Sequence, residues 1–596
     1  MTSHLSDVRP EVPAQPRPFV CVIEELHRDP EVAADARDGV FTHAGRRLHL
    51  GRTPDWLHGG LADDEEWRIE WVKLYEGLAL AHDLVERGDR DSLTTWEDLV
   101  ESFCDQVPVG HDTSDVSARR IQNWLYAWQR FAEAPAWQGL RPGLAERLTD
   151  RLLADGEHLR HHLTPARNHR TLELYALLVL ALAFGRDEDA VDAIAALAEN
   201  AGTDVHPDGV HIECSSDYHL IVLRSFVGAI ANARLVGLPV PHVLEQRTRA
   251  MCNVALHLQR PDGITPALSD GDQADHRSLL RRAGVLLDRP DLLWAATDGA
   301  EGVPPATRAA SFPVGGYHVQ RSGWGDAGRA LAEERWSVLD CGPLGAGGHG
   351  HYDQLSVELM AEGHEIAVDP GRYTYAEDGS GWRAWFKGTA AHNTVTVDGL
   401  DQTPYRRGKP KGPTSTARLL WRHTGHGLDA LCGQVVSPRY DAVHTRTLAL
   451  VDDDYWVVLD RLRAPDAHDY AARWHLGAEA QGRVDVARYE EQSVVTTPHS
   501  SFVVPTGCGH VGLEPGWVSP TYGIKHPAPV VLVTAEAHAD ADLVTVITPG
   551  TEAPGVWVRH LDETVLVDVE PVGGRPVRLH LAPTWASLES GQQVAS

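Results

Sequence analysis

The chain changes its hydrophobic rhythm once, near Ala310, and that change restricts the fold more than any single motif. From Glu66 onward apolar residues recur at helical spacing. Trp67, Ile69, Trp71, Leu74, Leu78 and Leu80 begin one face, and similar faces follow in 92–103, 118–133, 139–154, 168–184, 187–199, 213–236, 242–259 and 277–287. Short Gly-, Pro- or Asp-containing turns separate them, which predicts about nine consecutive helices with almost no strand between them. There is no fixed-period repeat, so a solenoid of the tetratricopeptide kind is not expected. Beyond Ala310, segments such as RWSVLD, QLSVELMA and DDYWVVLDRL read as strands bounded by Gly and Pro turns, and this texture persists to the C-terminus. Helices followed by strands, without alternation, predict two segregated domains rather than a parallel α/β fold. The expected division is an irregular segment over 1–60, a helical domain over 61–310 and a mostly antiparallel sheet domain over 311–596.

Charge narrows the partners. Eighty-four acidic residues against 54 basic ones give a formal net charge of −30, which argues against nucleic acid, whose binding needs a basic footprint. An anionic ligand would have to meet a locally basic cleft. Eighteen tryptophans suit sugar-binding clefts but are first of all core material. Seven cysteines, an odd number without a C-x-x-C pair, predict free thiols in a reducing compartment. The first eighteen residues contain no apolar signal core, and the longest apolar run, Leu174 to Phe184, is too short to span a bilayer. The expectation is a soluble, cytoplasmic protein without a membrane partner; whether it forms homo-oligomers is open.

Chemistry-bearing residues are densest between Gly347 and Gln402. His349 and His351 are one residue apart, so on a strand they would share a face. Asp369 closes one predicted strand and His392 opens another, 394–397. If these strands pair, the set offers nitrogen and oxygen ligands for zinc, with one histidine left for chemistry. The same stretch begins with Gly345, Gly347 and Gly350 in a G-x-G-x-x-G pattern. A dinucleotide loop is rejected, because that fingerprint needs a helix after it and QLSVELMA continues as a strand. In the helical half, TPARNHRTLELYALL places Asn168 and His169 near a helix start, with Thr164 as cap and Pro165 in the first turn. Such an end suits an anion, although Asn168 as a plain cap and His169 as a solvated side chain explain the same residues. GVHIECSSDYH brings His211, Glu213, Asp217, Tyr218 and His219 to another helix start. Tyr218 is a proton donor or acceptor there, or an ordinary half-buried tyrosine.

Taken together, RIQNWLYAW (120–128), Asn168-His169, GVHIECSSDYH (209–219), PDGITPALSDGD (261–272) and GGHGHYDQLSVEL with the GTAAHNT that follows resemble the heparinase II/III-like polysaccharide lyases. The resemblance implies an incomplete α/α toroid followed by an antiparallel β-sandwich, an α+β multidomain chain that cleaves a uronate-containing poly- or oligosaccharide by β-elimination. It implies Asn168 and His169 as the groups neutralising the uronate carboxylate, Tyr218 as acid or as both acid and base, and His349 as base or its partner. His351, Asp369 and His392 would hold one structural zinc per chain. Arg120, Asn123, Trp124, Glu213, His219 and Arg383 would contact the sugar chain. The chemistry explains these residue types: the C5 proton is weakly acidic until the adjacent carboxylate is neutralised, after which a base removes it and an acid protonates the departing 4-oxygen. Some family members place a second tyrosine just before the HNT; here Trp385 and Phe386 stand there. A glycoside hydrolase on the same scaffold, which needs two opposed carboxyl groups, and a non-catalytic sugar-binding homologue are the alternatives.

Overall fold

A computed structural model describes residues 15–590 apart from 24, 61–63, 136 and 409. Among these residues the chain forms two compact units, Met1–Val205 with Ile221–Thr248, and His206–Leu220 with Arg249–Ser596.

The helical rhythm of the first unit is realised nearly segment for segment. Helices occupy Glu65–Trp71, Glu76–Arg87, Arg90–Gln106, Ser114–Ala132, Leu144–His161, Arg167–Ala183 and Asp187–Asp204, and the greater part of Ser216–Leu235 follows. The first apolar face, expected to run from Trp67 through Leu80, is broken into two helices. Leu74 adopts a left-handed backbone (φ 56°) between them, a conformation that ends a right-handed helix. Ser114–Ala132 packs against both Glu76–Arg87 and Arg167–Ala183. The latter is buried on nearly every side from Thr171 onward, as expected of an interior helix. Tryptophan fills this interior: Trp56, Trp67, Trp71, Trp96, Trp124 and Trp128 are all fully buried, and Trp56 stacks on Trp71 at 4.5 Å. The segment expected to be irregular over 1–60 is partly ordered. Asp29 caps a helix over Pro30–Arg37, and a hairpin pairs Val40–His43 with Arg46–His49. Its first fourteen positions lie outside the described residues.

The second unit is built on antiparallel sheets. A five-stranded sheet runs in chain order from Ala310–Phe312 through Tyr317–Arg321, Trp336–Asp340 and Val357–Ala361 to His364–Ala367. A ten-stranded sheet has the long strands Tyr455–His475 and Ile524–Pro549 at its centre, and a four-stranded sheet follows at the C-terminus. Strand character thus begins at Ala310, where the sequence texture changes, but packing divides the chain elsewhere. The five-stranded sheet is apolar on both faces. Leu339, Val357 and Leu359 face the larger sheet's core. Val319, Trp336, Val338 and Met360 pack instead with Val210, Cys214, Val254, Leu258 and Leu268. The second face is why 206–220 and the helical stretch after 249 join the sheets rather than the other helices. All seven cysteines are free thiols. No helix among the described residues is long and apolar enough to cross a membrane.

One buried ion pair ties the large sheet to the segments that carry the histidines. Arg446 and Asp460 face each other across adjacent strands, with Nε to Oδ1 at 2.6 Å and Nη2 to Oδ2 at 2.9 Å. Arg446 Nη1 also donates to the carbonyls of Leu355, at 2.8 Å, and Asn393. Asn393 donates in turn to the carbonyls of Val357 and Val368 and accepts from the His475 amide. Burial would raise the Asp460 carboxyl, but Arg446 and His444 outweigh it and hold it well below the usual range. A carboxyl depressed in this way stabilises the fold above its unfolded pKa of about 3.9 and loses that contribution as the pH falls. Asp460→Asn, which leaves the Arg446 cation buried without its partner, should cost about 3–5 kcal/mol at pH 7. Urea unfolding of both proteins checks this, and the gap between them should narrow below about pH 4.

Candidate active site

Three segments of the second unit converge on Asp270, whose carboxylate is fully buried. His349 Nδ1 lies 3.0 Å from its Oδ2 and His351 Nε2 lies 2.9 Å from its Oδ1. Arg383 spans both oxygens, with Nη2 to Oδ2 at 2.7 Å. The Asp270 amide donates to the His349 carbonyl, and Ser215 Oγ donates to the Asp270 carbonyl. Burial would push this carboxyl up, but Arg383 and the two imidazoles hold it well below the usual carboxylate range. It is therefore an anion, and each histidine must turn an N–H toward it. With Nδ1–H turned to Asp270, Nε2 is the His349 nitrogen left to exchange a proton. That nitrogen lies 3.8 Å from Glu213 Oε1.

The expected strand through His349 and His351 is absent; the residues run as an extended connector, and strand structure starts only at Val357. Glycine shapes this connector. A Cβ at Gly350 would sit 2.1 Å from the Leu344 carbonyl oxygen, closer than any side chain tolerates. Lys387, lowered to about 8 by burial, holds the Gly348 carbonyl at 2.6 Å. His349 keeps about a fifth of its side chain exposed, whereas His351 has none.

Tyr218 lies in the first turn of Ser216–Leu235, its ring 4.1 Å from that of His349. Its hydroxyl is 2.9 Å from the Tyr375 hydroxyl, which accepts from Arg372 Nη1 at 2.7 Å. Arg372 is anchored by two bonds to Asp272. Burial, reinforced by Tyr375, raises the Tyr218 hydroxyl well above the usual tyrosine range, so it stays protonated at neutral pH.

Beside this group, His351 and His392 approach Asp353, with one donor atom of each within 4.8 Å of the others. The sequence placed Asp369 in that set; Asp369 instead meets His392, Oδ2 to Nδ1 at 3.1 Å, and its Oδ1 accepts from the Gly371 amide. The donors fit a divalent cation. His351 spends Nε2–H on Asp270, and its Nδ1 is buried without a hydrogen-bond partner. His392 donates Nε2–H to the Phe386 carbonyl and turns Nδ1 toward Asp369 and, at 3.8 Å, Asp353. An imidazole lone pair aimed at two carboxylates requires a proton or a cation between them. In the metal-free chain the proton serves: burial lowers His392, but Asp369 and Asp353 outweigh it and raise it to about 9. Asp353 is raised to about 6 by burial.

The other residues singled out by sequence have mixed placements. Glu213 and Arg383 join the Asp270 cluster. His219 is buried with Nε2 on the Met251 carbonyl and Nδ1 at the His211 amide, which leaves its ring no free edge for a sugar. In the first unit, Arg120 is buried against Asp112 and the Val72 carbonyl, Asn123 donates to the Lys73 carbonyl, and Trp124 is core. Asn168 is buried and His169 exposed at the start of Arg167–Ala183. Thr164 does not cap that helix; its amide and hydroxyl both bind Glu173. Sequence reasoning did not assign Asp270, Asp353, Arg372, Tyr375 or Lys387 to the base or the metal set. Asp270 lies in the 261–272 motif, and Asp353 is the next alternate position after His349 and His351.

Residues 35–288 match the family model of the heparinase II/III N-terminus, and 304–551 match that of the heparinase II/III-like C-terminal domain. A heparin-sulfate lyase of Pedobacter heparinus is 22% identical over 85% of this chain and 78% of its own. One of Bacteroides thetaiotaomicron is 26% identical over 44% of this chain and 39% of its own. In fold, the chain is similar to the crystal structure of heparinase III (TM-score 0.76, 16% identity, 97% of this chain and 93% of that one). It is also similar to that of a mutant heparan sulfate lyase of Pedobacter heparinus (TM-score 0.69, 20% identity, 94% and 90%). With both of its halves matched, the chain belongs to the heparinase II/III family.

Proposed function

We propose that this protein is a carbon–oxygen lyase that cleaves a uronate-containing, glycosaminoglycan-like polysaccharide by β-elimination, the class of its heparin-sulfate lyase relatives. The observation that carries the proposal is the packing of the His349 imidazole, anchored through Nδ1 on Asp270, against the ring of Tyr218. His349 Nε2 is freed for a proton by that anchor. In this reading His349 removes the C5 proton and Tyr218 gives its proton to the departing 4-oxygen. Arg372 donates to Tyr375, and a Tyr375 hydroxyl turned toward Tyr218 leaves the Tyr218 proton for the leaving group. Asn168 and His169 are assigned to neutralising the uronate carboxylate, the step that makes C5 acidic enough to ionise.

A hydrolase is less well supported, because inverting or retaining hydrolysis needs two opposed and available carboxyl groups. Asp270 is committed to Arg383 and two imidazoles. A non-catalytic sugar binder gains nothing from the His349–Tyr218 geometry. A divalent metal, with zinc the best match to two nitrogens and a carboxylate, would be held by His351, His392 and Asp353. It would supply charge that fixes the connector, not a reacting group.

A rise in ultraviolet absorbance from the C4=C5 double bond, on a panel of heparan sulfate, hyaluronan, alginate and other uronate polymers, tests the reaction class. Saturated products or no cleavage of any polymer would refute it. Tyr218→Phe should lower kcat at least about a hundredfold while KM stays within about threefold; near-normal turnover would remove Tyr218 from its role. Elemental analysis should find about one zinc per chain. Asp353→Ala should lose the metal and lower the melting temperature, whereas folded, active, metal-free wild type would contradict the assignment.

A further inference from the structure

Positive charge is scarce in this protein, and one loop concentrates it. Residues 402–428 contain no Asp or Glu, although 84 of 596 residues in the chain are acidic. Within that stretch RRGKPK places Arg406, Arg407, Lys409 and Lys411 in six positions, two of them among the only five lysines of the chain. Arg406, Arg407 and Lys411 are exposed. Elsewhere arginines are typically matched: Arg260, Arg372, Arg383 and Arg446 each face a carboxylate. None of the three loop cations makes an ion pair among the described residues; the Arg406 guanidinium donates only to the Tyr405 carbonyl.

The loop also borders the site. Pro410, between the two lysines, and Thr414 line a groove of about 620 Å³ whose other walls include the main chain of 343–348 and Gly350, with Ile212. This volume falls in the range of ligand clefts. Gly348 and Gly350 flank His349 in the chain, so the groove runs along the segment that carries the residue assigned as base. Its lining carries no carboxylate. Unpaired cations beside a groove with a backbone floor suit a polymer whose charges recur along its length. Clusters of Lys and Arg of this density are recognised as heparin-type patches, and they act mainly through local potential.

We propose that Arg406, Arg407 and Lys411 form an anion-binding rim that holds sulfate or carboxylate groups of the polysaccharide in the groove along 343–350, next to the cleavage point. This names the substrate contact and rests on the lyase reading for its position, but it is tested by binding alone. Titration calorimetry would compare wild type with the R406A/R407A/K411A variant. The probes are a heparan sulfate octasaccharide and an unsulfated glucuronate–glucosamine octasaccharide, between about 0.05 and about 0.3 M salt. The expected result is a Kd at least about tenfold weaker in the variant, a shallower dependence of Kd on salt, and an unchanged melting temperature. Loss confined to the sulfated probe identifies sulfate as the bound group, and equal loss on both identifies the carboxylate.

Equal affinity in wild type and variant, or no binding of either probe by wild type, would overturn the rim. So would a DNA oligonucleotide that binds as tightly as the sulfated probe and is lost in the same variant. In cleavage assays kcat at saturating substrate should stay within about twofold, with the change in KM. If wild type produces no unsaturated product yet the variant loses binding, the lyase reading fails and the rim stands. If the product forms and binding is unchanged, the rim fails and the lyase stands.

Discussion

The arrangement of the candidate site depends on keeping the Asp270 carboxylate ionised in the interior. An isolated buried carboxylate would take up a proton. Here Arg383 and the imidazoles of His349 and His351 surround it. The consequence is directional. A permanent anion sets the tautomer of both histidines, so His349 presents Nε2 outward and His351 presents Nδ1 inward. One carboxylate thereby orients both the proposed base and one proposed metal ligand. Its position is set from two segments distant in the chain, through Ser215 and through the His349 carbonyl.

Charge placement elsewhere follows the same logic of neutralisation. Arg260 lies among Glu358, Glu365 and Asp262, and Arg446 faces Asp460. Each buried guanidinium adds side-chain bonds to strands already joined by backbone pairing. Against that background the exposed cations Arg406, Arg407 and Lys411 are an exception, since none makes an ion pair among the described residues. The proposed acidic polymer would need such an exception, because a net charge of −30 otherwise repels it.

Much of this was legible in the sequence. The helical segments and the onset of strands came from periodicity, which reports burial on one face and survives in any packing of these elements. The break at Leu74 was not legible, because a left-handed leucine leaves no compositional trace. Tryptophan was read as core first, and ten of the eighteen are among the largest fully buried side chains. His349, Tyr218, His351 and His392 were assigned roles from motifs, while Asp270, Tyr375 and Arg372 were not. These three act through contacts between residues about 80 to 160 positions apart, and no local spacing encodes such contacts. Arg120, Asn123 and Trp124 illustrate the opposite failure. A recognisable motif need not face a ligand, and theirs faces the interior.

What the sequence determined by itself was the order of helices and strands, the acidic balance, and the residue types available for acid–base and metal chemistry. These follow from covalent order and short-range periodicity. Tertiary structure decided the rest: where the units divide, since the five-stranded sheet needed a second apolar cover from 206–220 and 249–268, and which carboxylate meets which histidine. Asp353 joins His351 and His392, and Asp369 meets His392, because position in space rather than spacing along the chain sets which oxygen comes within reach of a given nitrogen.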